Sequence, residues 1–102
     1  MLSKAEINNL DCEKIARDPT LRRAIIGMLR KYFSKHKLDY DPNIDDIDLL
    51  GYAKAKYHDR PFVATESRAE SEEMHRCLTC LNKIPDFVCS WFKASLIEEY
   101  CT

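Results

Sequence analysis

Two cysteines in a CxxC spacing are the first residues of this sequence that could do chemistry. Cys77 and Cys80 frame the run Cys-Leu-Thr-Cys, a spacing used for zinc binding and for thiol redox exchange. Redox exchange needs a helix N-terminus that lowers the thiol pKa, whereas this pair falls inside a predicted helix with Cys77 on the apolar face. Zinc would need two further ligands, and His75 is turned roughly 200° away around the same helix. We therefore predict core thiols here, with no metal and no cofactor.

Other acidic, histidine and glycine patterns fall short of a catalytic or metal site. The run DYDPN at residues 39–43 starts like a calcium loop, but Ile44 and Leu50 replace its turn glycine and bidentate glutamate. Glu72-x-x-His75 occurs once, whereas a di-iron bundle needs two such motifs. No nucleophile elbow and no glycine-rich phosphate loop is present. We predict a protein that is not an enzyme.

A run of basic residues could bind phosphates. Six Lys and Arg residues and no acid lie between Arg22 and Lys37. At about 100° per residue, Arg23, Arg30 and Lys37 share one stripe of a helix. Such a stripe predicts nucleic-acid binding that weakens steeply with salt. The plain alternative is a solvated face balanced by acids elsewhere, which the isoelectric point of about 6.3 favours.

Aromatic residues near the end of the sequence are the types that anchor protein interfaces. Phe87, Trp91, Phe92 and Tyr100 spread over more than half the circumference of one predicted helix. So wide an apolar face predicts either the central helix of the bundle or a dimer interface. Our leading hypothesis is a small non-catalytic protein-binding module that binds another protein or forms a homodimer. A regulatory antagonist, an adaptor and a chaperone-like protein all fit, and nucleic-acid binding is the alternative.

Capping signals and apolar spacing predict the helices that position these residues. The predicted segments are residues 3–17 with a break near Asn8, 19–36, 41–58, 67–84 and 86–100. Capping boxes at Ser3 and Ser67 and the pairs Asp18-Pro19 and Asp41-Pro42 mark helix starts. Gly27 lies mid-helix, which predicts close approach by another backbone. We expect an all-α fold, a compact bundle of four to five helices in one domain spanning 1–102. The predicted helices at 19–36, 67–84 and 86–100 should supply most of the core.

Composition supports the all-α fold class and indicates the compartment in which we expect the protein. The 102 residues are 45% hydrophobic and 32% charged, with only two glycines, which argues against an all-β fold. Nine basic residues against four acids give residues 1–38 a charge of +5, and seven against thirteen give residues 39–102 a charge of −6. No stretch is apolar enough to span a membrane, and the start lacks an export signal. The five cysteines are therefore expected to be reduced, in a cytoplasmic protein.

Overall fold

A computed structural model describes residues 3–36 and 41–100 of the protein, and the regular elements within them are helices. Within these residues there are six helices and no strand, which confirms the predicted all-α fold class. No helix in this part of the chain is long and apolar enough to cross a bilayer. The helices are α1 (Lys4–Asn8), α2 (Cys12–Ala16), α3 (Pro19–Lys35), α4 (Asp46–Tyr57), α5 (Ala64–Thr79) and α6 (Asp86–Tyr100).

The N-termini of the first three helices lie where the sequence predicts a cap or a break. Ser3 caps α1 in a reciprocal capping box with Glu6. The predicted break is real, because Asp11 accepts a hydrogen bond from the amide of Glu13 and starts α2 as a separate helix. Asp18 accepts from the amides of Thr20 and Leu21, which confirms the predicted start of α3 at Pro19. Short polar side chains thus set these boundaries.

The starts of α4 and α5 differ from the prediction. α4 begins at Asp46, because the carboxylate of Asp45 rather than Asp41 takes the cap and accepts from the amide of Asp48 at 2.7 Å. α5 begins at Ala64, before the capping box predicted at 67–70, and the Ser67 hydroxyl donates back to the carbonyl of Val63. Tertiary packing of the Pro61–Val63 connector overrides the local cap signal there.

α5 also ends earlier than predicted, at Thr79 instead of residue 84. Asn82 adopts a left-handed backbone with φ of 53°, and the amide of Lys83 donates to the carbonyl of Cys77. Asparagine tolerates this conformation better than most residues, so it can terminate a helix where no glycine is present. Leu81 therefore lies beyond the end of α5 and is 47% exposed.

The core forms where α3, α4 and α6 meet. Phe33 packs edge-on against the rings of Tyr52 and Trp91, with ring centroids 5.4 and 5.3 Å apart. The helices predicted to supply most of the core, α3, α5 and α6, hold nine of the thirteen buried apolar residues of the four long helices, and α4, which the prediction left out, holds the other four. The buried apolar residues of these four helices are Ile25, Leu29, Phe33, Leu49, Leu50, Tyr52, Ala53, Met74, Leu78, Phe87, Val88, Cys89 and Phe92.

One disulfide corrects the expectation of reduced thiols. Cys12 of α2 and Cys89 of α6 are bonded, with Cα atoms 6.2 Å apart and a sequence separation of 77. Cys89 is buried and Cys12 is half-buried. The pairing itself depends on how α2 lies against α6, which no local pattern reveals. Cys77 and Cys80 are free thiols.

α4 and α5 form the most closely packed helix pair. Gly51 of α4 lies against the side chains of Ser71 and Phe62. A Cβ at Gly51 would come within 2.3 Å of the Ser71 hydroxyl and 3.1 Å of the Phe62 ring. The absence of a side chain at Gly51 is therefore what lets the two helices approach.

Candidate functional site

The four aromatic residues predicted at an interface have different environments. Phe87 and Phe92 are buried in the core of the single chain, with Phe92 only 1% exposed. Trp91 is half-buried, and its indole N–H donates to the carbonyl of Ala53 at 3.2 Å. Only Tyr100 has a largely exposed side chain. Phe87 and Phe92 therefore act as core residues in this fold, and Tyr100 is the member of the set that a partner could contact.

The three basic residues predicted to contact nucleic acid are not one free stripe. Arg23 is exposed and has no ion-pair partner among the described residues. Arg30 is tied to α4, since it donates to the carboxylate of Asp46 at 2.9 Å and to the carbonyl of Pro42 at 3.2 Å. Lys37 lies outside the described residues. Within the described residues, Asp46 thus neutralises the charge of Arg30, whereas the charge of Arg23 is unpaired.

The basic residues on the other flank of α3 are paired with α6. Lys31 lies 3.5 Å from the carboxylate of Glu99, and both Lys35 and His36 contact Glu98. Burial, and secondly the nearby Glu98 carboxylate, raise the pKa of the Tyr32 hydroxyl above its ordinary value. This flank of α3 is closed by aromatic packing and ion pairs.

The flank of α3 that faces α5 is open and forms a groove. Its cavity volume is about 600 Å³. α3 contributes one arc of its surface, α5 contributes the opposite wall, and Asp46 closes one end. The lining residues are Pro19, Arg22, Arg23, Ile26, Gly27, Arg30, Asp46, His75, Leu78 and Thr79.

Gly27 lies on the α3 side of this groove and packs against no other element of the described chain. A Cβ added there would meet no atom of the described residues within 4 Å, apart from its own helix backbone and chain neighbours. The predicted close approach by another backbone of this chain is therefore wrong for Gly27. That role belongs to Gly51, whose environment the sequence did not distinguish from that of Gly27. What remains at Gly27 is an exposed stretch of helix backbone facing the groove.

Arg22 connects the groove to α2. One guanidinium nitrogen, Nη1, donates to the carbonyl of Ala16 at 2.5 Å. The Nε–H is buried and has no hydrogen-bond acceptor among the described residues. An unsatisfied buried donor costs about 1–3 kcal/mol, so an anion that drew this side chain outward would remove a penalty. The sequence singled out Arg23 rather than Arg22, because helix angle alone does not show which basic residue borders a cavity.

The residues that could do chemistry are dispersed within the described part of the chain. Cys77 is half-buried and Cys80 is exposed. Glu72 pairs with Arg68 at 3.3 Å. Across residues 3–36 and 41–100, no three His, Cys, Asp or Glu side chains cluster closely enough to hold a metal ion. The groove can therefore offer cations, an apolar floor and exposed helix backbone, which are means of binding.

Comparison with known proteins gives no family assignment. No protein-family model, curated protein or solved structure matches the chain.

Proposed function

We propose that this protein is a non-catalytic protein-binding module, with a regulatory antagonist, an adaptor or a chaperone-like protein as the forms that fit. The single observation that carries the proposal is the open groove between α3 and α5, with Gly27 exposed in it. Such a concave site with an apolar floor and a few convergent polar groups is the usual form of a binding site.

The energetics of Gly27 support a role outside the chain. Glycine inside a helix costs about 1 kcal/mol relative to alanine. Gly51 offsets such a cost by admitting Ser71 and Phe62, whereas the packing of this chain around Gly27 requires no glycine. A partner that approaches the backbone at Gly27 supplies the reason that intramolecular packing does not.

The alternative function is nucleic-acid binding along α3. Arg23 supports it, because this residue is exposed and unpaired within the described part of the chain. The neutralised Arg30 counts against it, since phosphate binding draws on several free cations. We rank it second for that reason.

Homodimer formation remains part of the proposal. Tyr100 is 54% exposed at the end of α6 and is the predicted interface aromatic best placed for it. Sedimentation equilibrium across a range of protein concentrations tests this point. A dimer that dissociates on Tyr100→Asp supports it, and a monomer at every concentration contradicts it.

A cytoplasmic location is also proposed, from the sequence. The Cys12–Cys89 disulfide argues against it, because disulfides persist mainly in oxidising compartments. Alkylation of free thiols in intact cells, followed by a gel mobility assay, decides the matter. If Cys12 and Cys89 are alkylated without prior reduction, the protein resides in a reducing compartment.

The experiment that tests the binding function compares wild type with Gly27→Trp. Each protein is immobilised, exposed to lysate with and without nuclease, and analysed by mass spectrometry and nucleic-acid staining. We expect a discrete protein that survives nuclease and is lost on Gly27→Trp, since the indole fills the groove. Capture of nucleic acid alone, released by nuclease and by salt, would promote the alternative function.

A further inference from the structure

We infer that the groove between α3 and α5 binds an acidic, amphipathic segment of a partner protein. This inference rests on the proposed function and names the chemistry of its ligand. Three features of the groove carry it: an unpaired cationic end, an apolar floor with exposed backbone, and a neutralised opposite end.

The cationic end is formed by Arg22 and Arg23 in the first turns of α3. Arg23 is exposed and Arg22 is half-buried, and neither has a carboxylate partner among the described residues. His75 lines the groove from α5. Guanidinium groups bind carboxylates in bidentate, charge-assisted geometry, so this end favours acidic side chains.

The floor favours apolar side chains in the same ligand. Ile26 on α3 and Leu78 on α5 both line the groove. Ile26 is half-buried and packs against the core, so part of its side chain is available to a ligand, whereas Leu78 is only 2% exposed. Because Gly27 has no side chain, a ligand side chain can reach the helix backbone there. A segment with acidic residues beside apolar ones satisfies both parts of the groove.

The opposite end distinguishes such a segment from a nucleic acid. Asp46 lies at that end, paired with Arg30 at 2.9 Å. A phosphate chain running along the groove would meet a neutralised ion pair at this end instead of a free cation, whereas an acidic segment can place its carboxylates at the Arg22 and Arg23 end alone. The charge gradient along the groove therefore favours a peptide with its acids concentrated toward one terminus.

A selection from an unbiased peptide library tests the inference without a known ligand. Wild type is used to select from a displayed library of random peptides, with Gly27→Trp as the counter-selection target. We expect enriched peptides in which Asp or Glu outnumber Lys and Arg and accompany Leu, Ile or Phe. Enrichment of basic or purely polar peptides, or of none, would overturn the inference.

The enriched peptide is then labelled and titrated by fluorescence anisotropy. Arg23→Glu and Gly27→Trp should each weaken binding about tenfold or more, and added salt should weaken the wild-type complex. Lys4→Glu on α1, which does not line the groove, should leave the affinity unchanged. Arg23 is exposed, so its reversal tests the site even if Gly27→Trp misfolds by circular dichroism. Equal affinity of wild type and Arg23→Glu would contradict the proposed carboxylate contacts.

Failure of the inference and failure of the proposed function give different results. A captured protein that binds Gly27→Trp and Arg23→Glu as well as wild type leaves a binding module but removes this groove as its site. A 20-base-pair duplex is titrated alongside the peptide. Tighter binding of the duplex than of the peptide, lost on Arg23→Glu, would overturn both proposals in favour of nucleic acid.

Discussion

Helix α5 packs differently against α4 and against α3. Against α4 it packs closely, because Gly51 admits the Ser71 hydroxyl and the Phe62 ring. Between α5 and α3 there is a groove of about 600 Å³ beside Gly27. The two glycines are the only ones in the sequence, and both lie inside helices. Gly51 is a packing residue, and Gly27 borders open space.

The difference shows that a helical glycine has no single meaning. Both positions carry the same cost of about 1 kcal/mol relative to alanine. At Gly51 a neighbouring helix explains that cost, and any side chain would have to displace it. At Gly27 no contact within the described residues explains that cost. The side of α5 that faces α4 therefore serves stability, and the side that faces α3 is the one for which we propose binding.

The largest expected effect comes from releasing α2, which positions Arg22 at the end of the groove. Its disulfide to α6 closes a long loop of the chain, so replacing Cys12 and Cys89 by Ser should lower the free energy of unfolding by about 4 kcal/mol. Urea denaturation followed by circular dichroism measures this. Hydrogen exchange should quicken in α2 before it does in α4 and α5.

Cys80→Ser is the matched control for that change. Cys80 is free and exposed, so this substitution should leave stability within about 0.5 kcal/mol of wild type. Equal stability of the wild type with and without reductant would contradict a structural role of the Cys12–Cys89 bond.

Placing leucine at each glycine tests the comparison most directly. Gly51→Leu forces a side chain into Ser71 and Phe62 and should cost about 3 kcal/mol. Gly27→Leu meets open space and should instead stabilise by roughly 0.5–1 kcal/mol through better helix propensity. Both are measured by urea denaturation under the same conditions. If the two variants lose stability equally, the groove is not open in solution.

A smaller change at Gly51 identifies the contact that matters. Gly51→Ala should cost about 1 kcal/mol, because crowding of Ser71 and Phe62 outweighs the gain in helix propensity. Ser71 is fully buried, and its hydroxyl has no hydrogen-bond partner among the described residues. Ser71→Ala should therefore be tolerated and should restore most of the stability lost in Gly51→Ala. A double-mutant cycle with no coupling would show that Phe62 sets the limit instead.

The sequence predicts helices with strong local signals and cannot predict how they are placed. Asp18-Pro19 and a three-to-four spacing of apolar residues determine α3, so its bounds are predicted within a residue or two. The pairing of Cys12 with Cys89 and the opening beside Gly27 depend on contacts between distant helices. Tertiary contacts also determine which basic side chains form ion pairs. Arg30 pairs with Asp46, whereas Arg23, on the same stripe of α3, has no ion-pair partner within the described residues.

The cap and ion pair at the start of α4 should give a small effect that depends on pH. Arg68 of α5 contacts the carboxylates of Asp45 and Asp48 at the start of α4. The amide of Asp48, and secondly Arg68, hold the pKa of Asp45 below its ordinary value. Asp45→Ala removes both the helix cap and this pair and should cost about 1 kcal/mol at neutral pH, most of it from the cap.

The sign of the pH dependence follows from the direction of that pKa shift. A carboxyl whose pKa is lower in the folded than in the unfolded chain stabilises the fold above its unfolded pKa of about 4, and the contribution is lost as the pH falls further. The stability gap between wild type and Asp45→Ala should therefore be constant from about pH 7 to 5 and shrink below about pH 4. Asp45→Asn is the control, because asparagine also caps helices and removes only the charge. Urea denaturation across this pH range measures the gap, and a gap that widens on acidification would show that folding does not lower the pKa of Asp45.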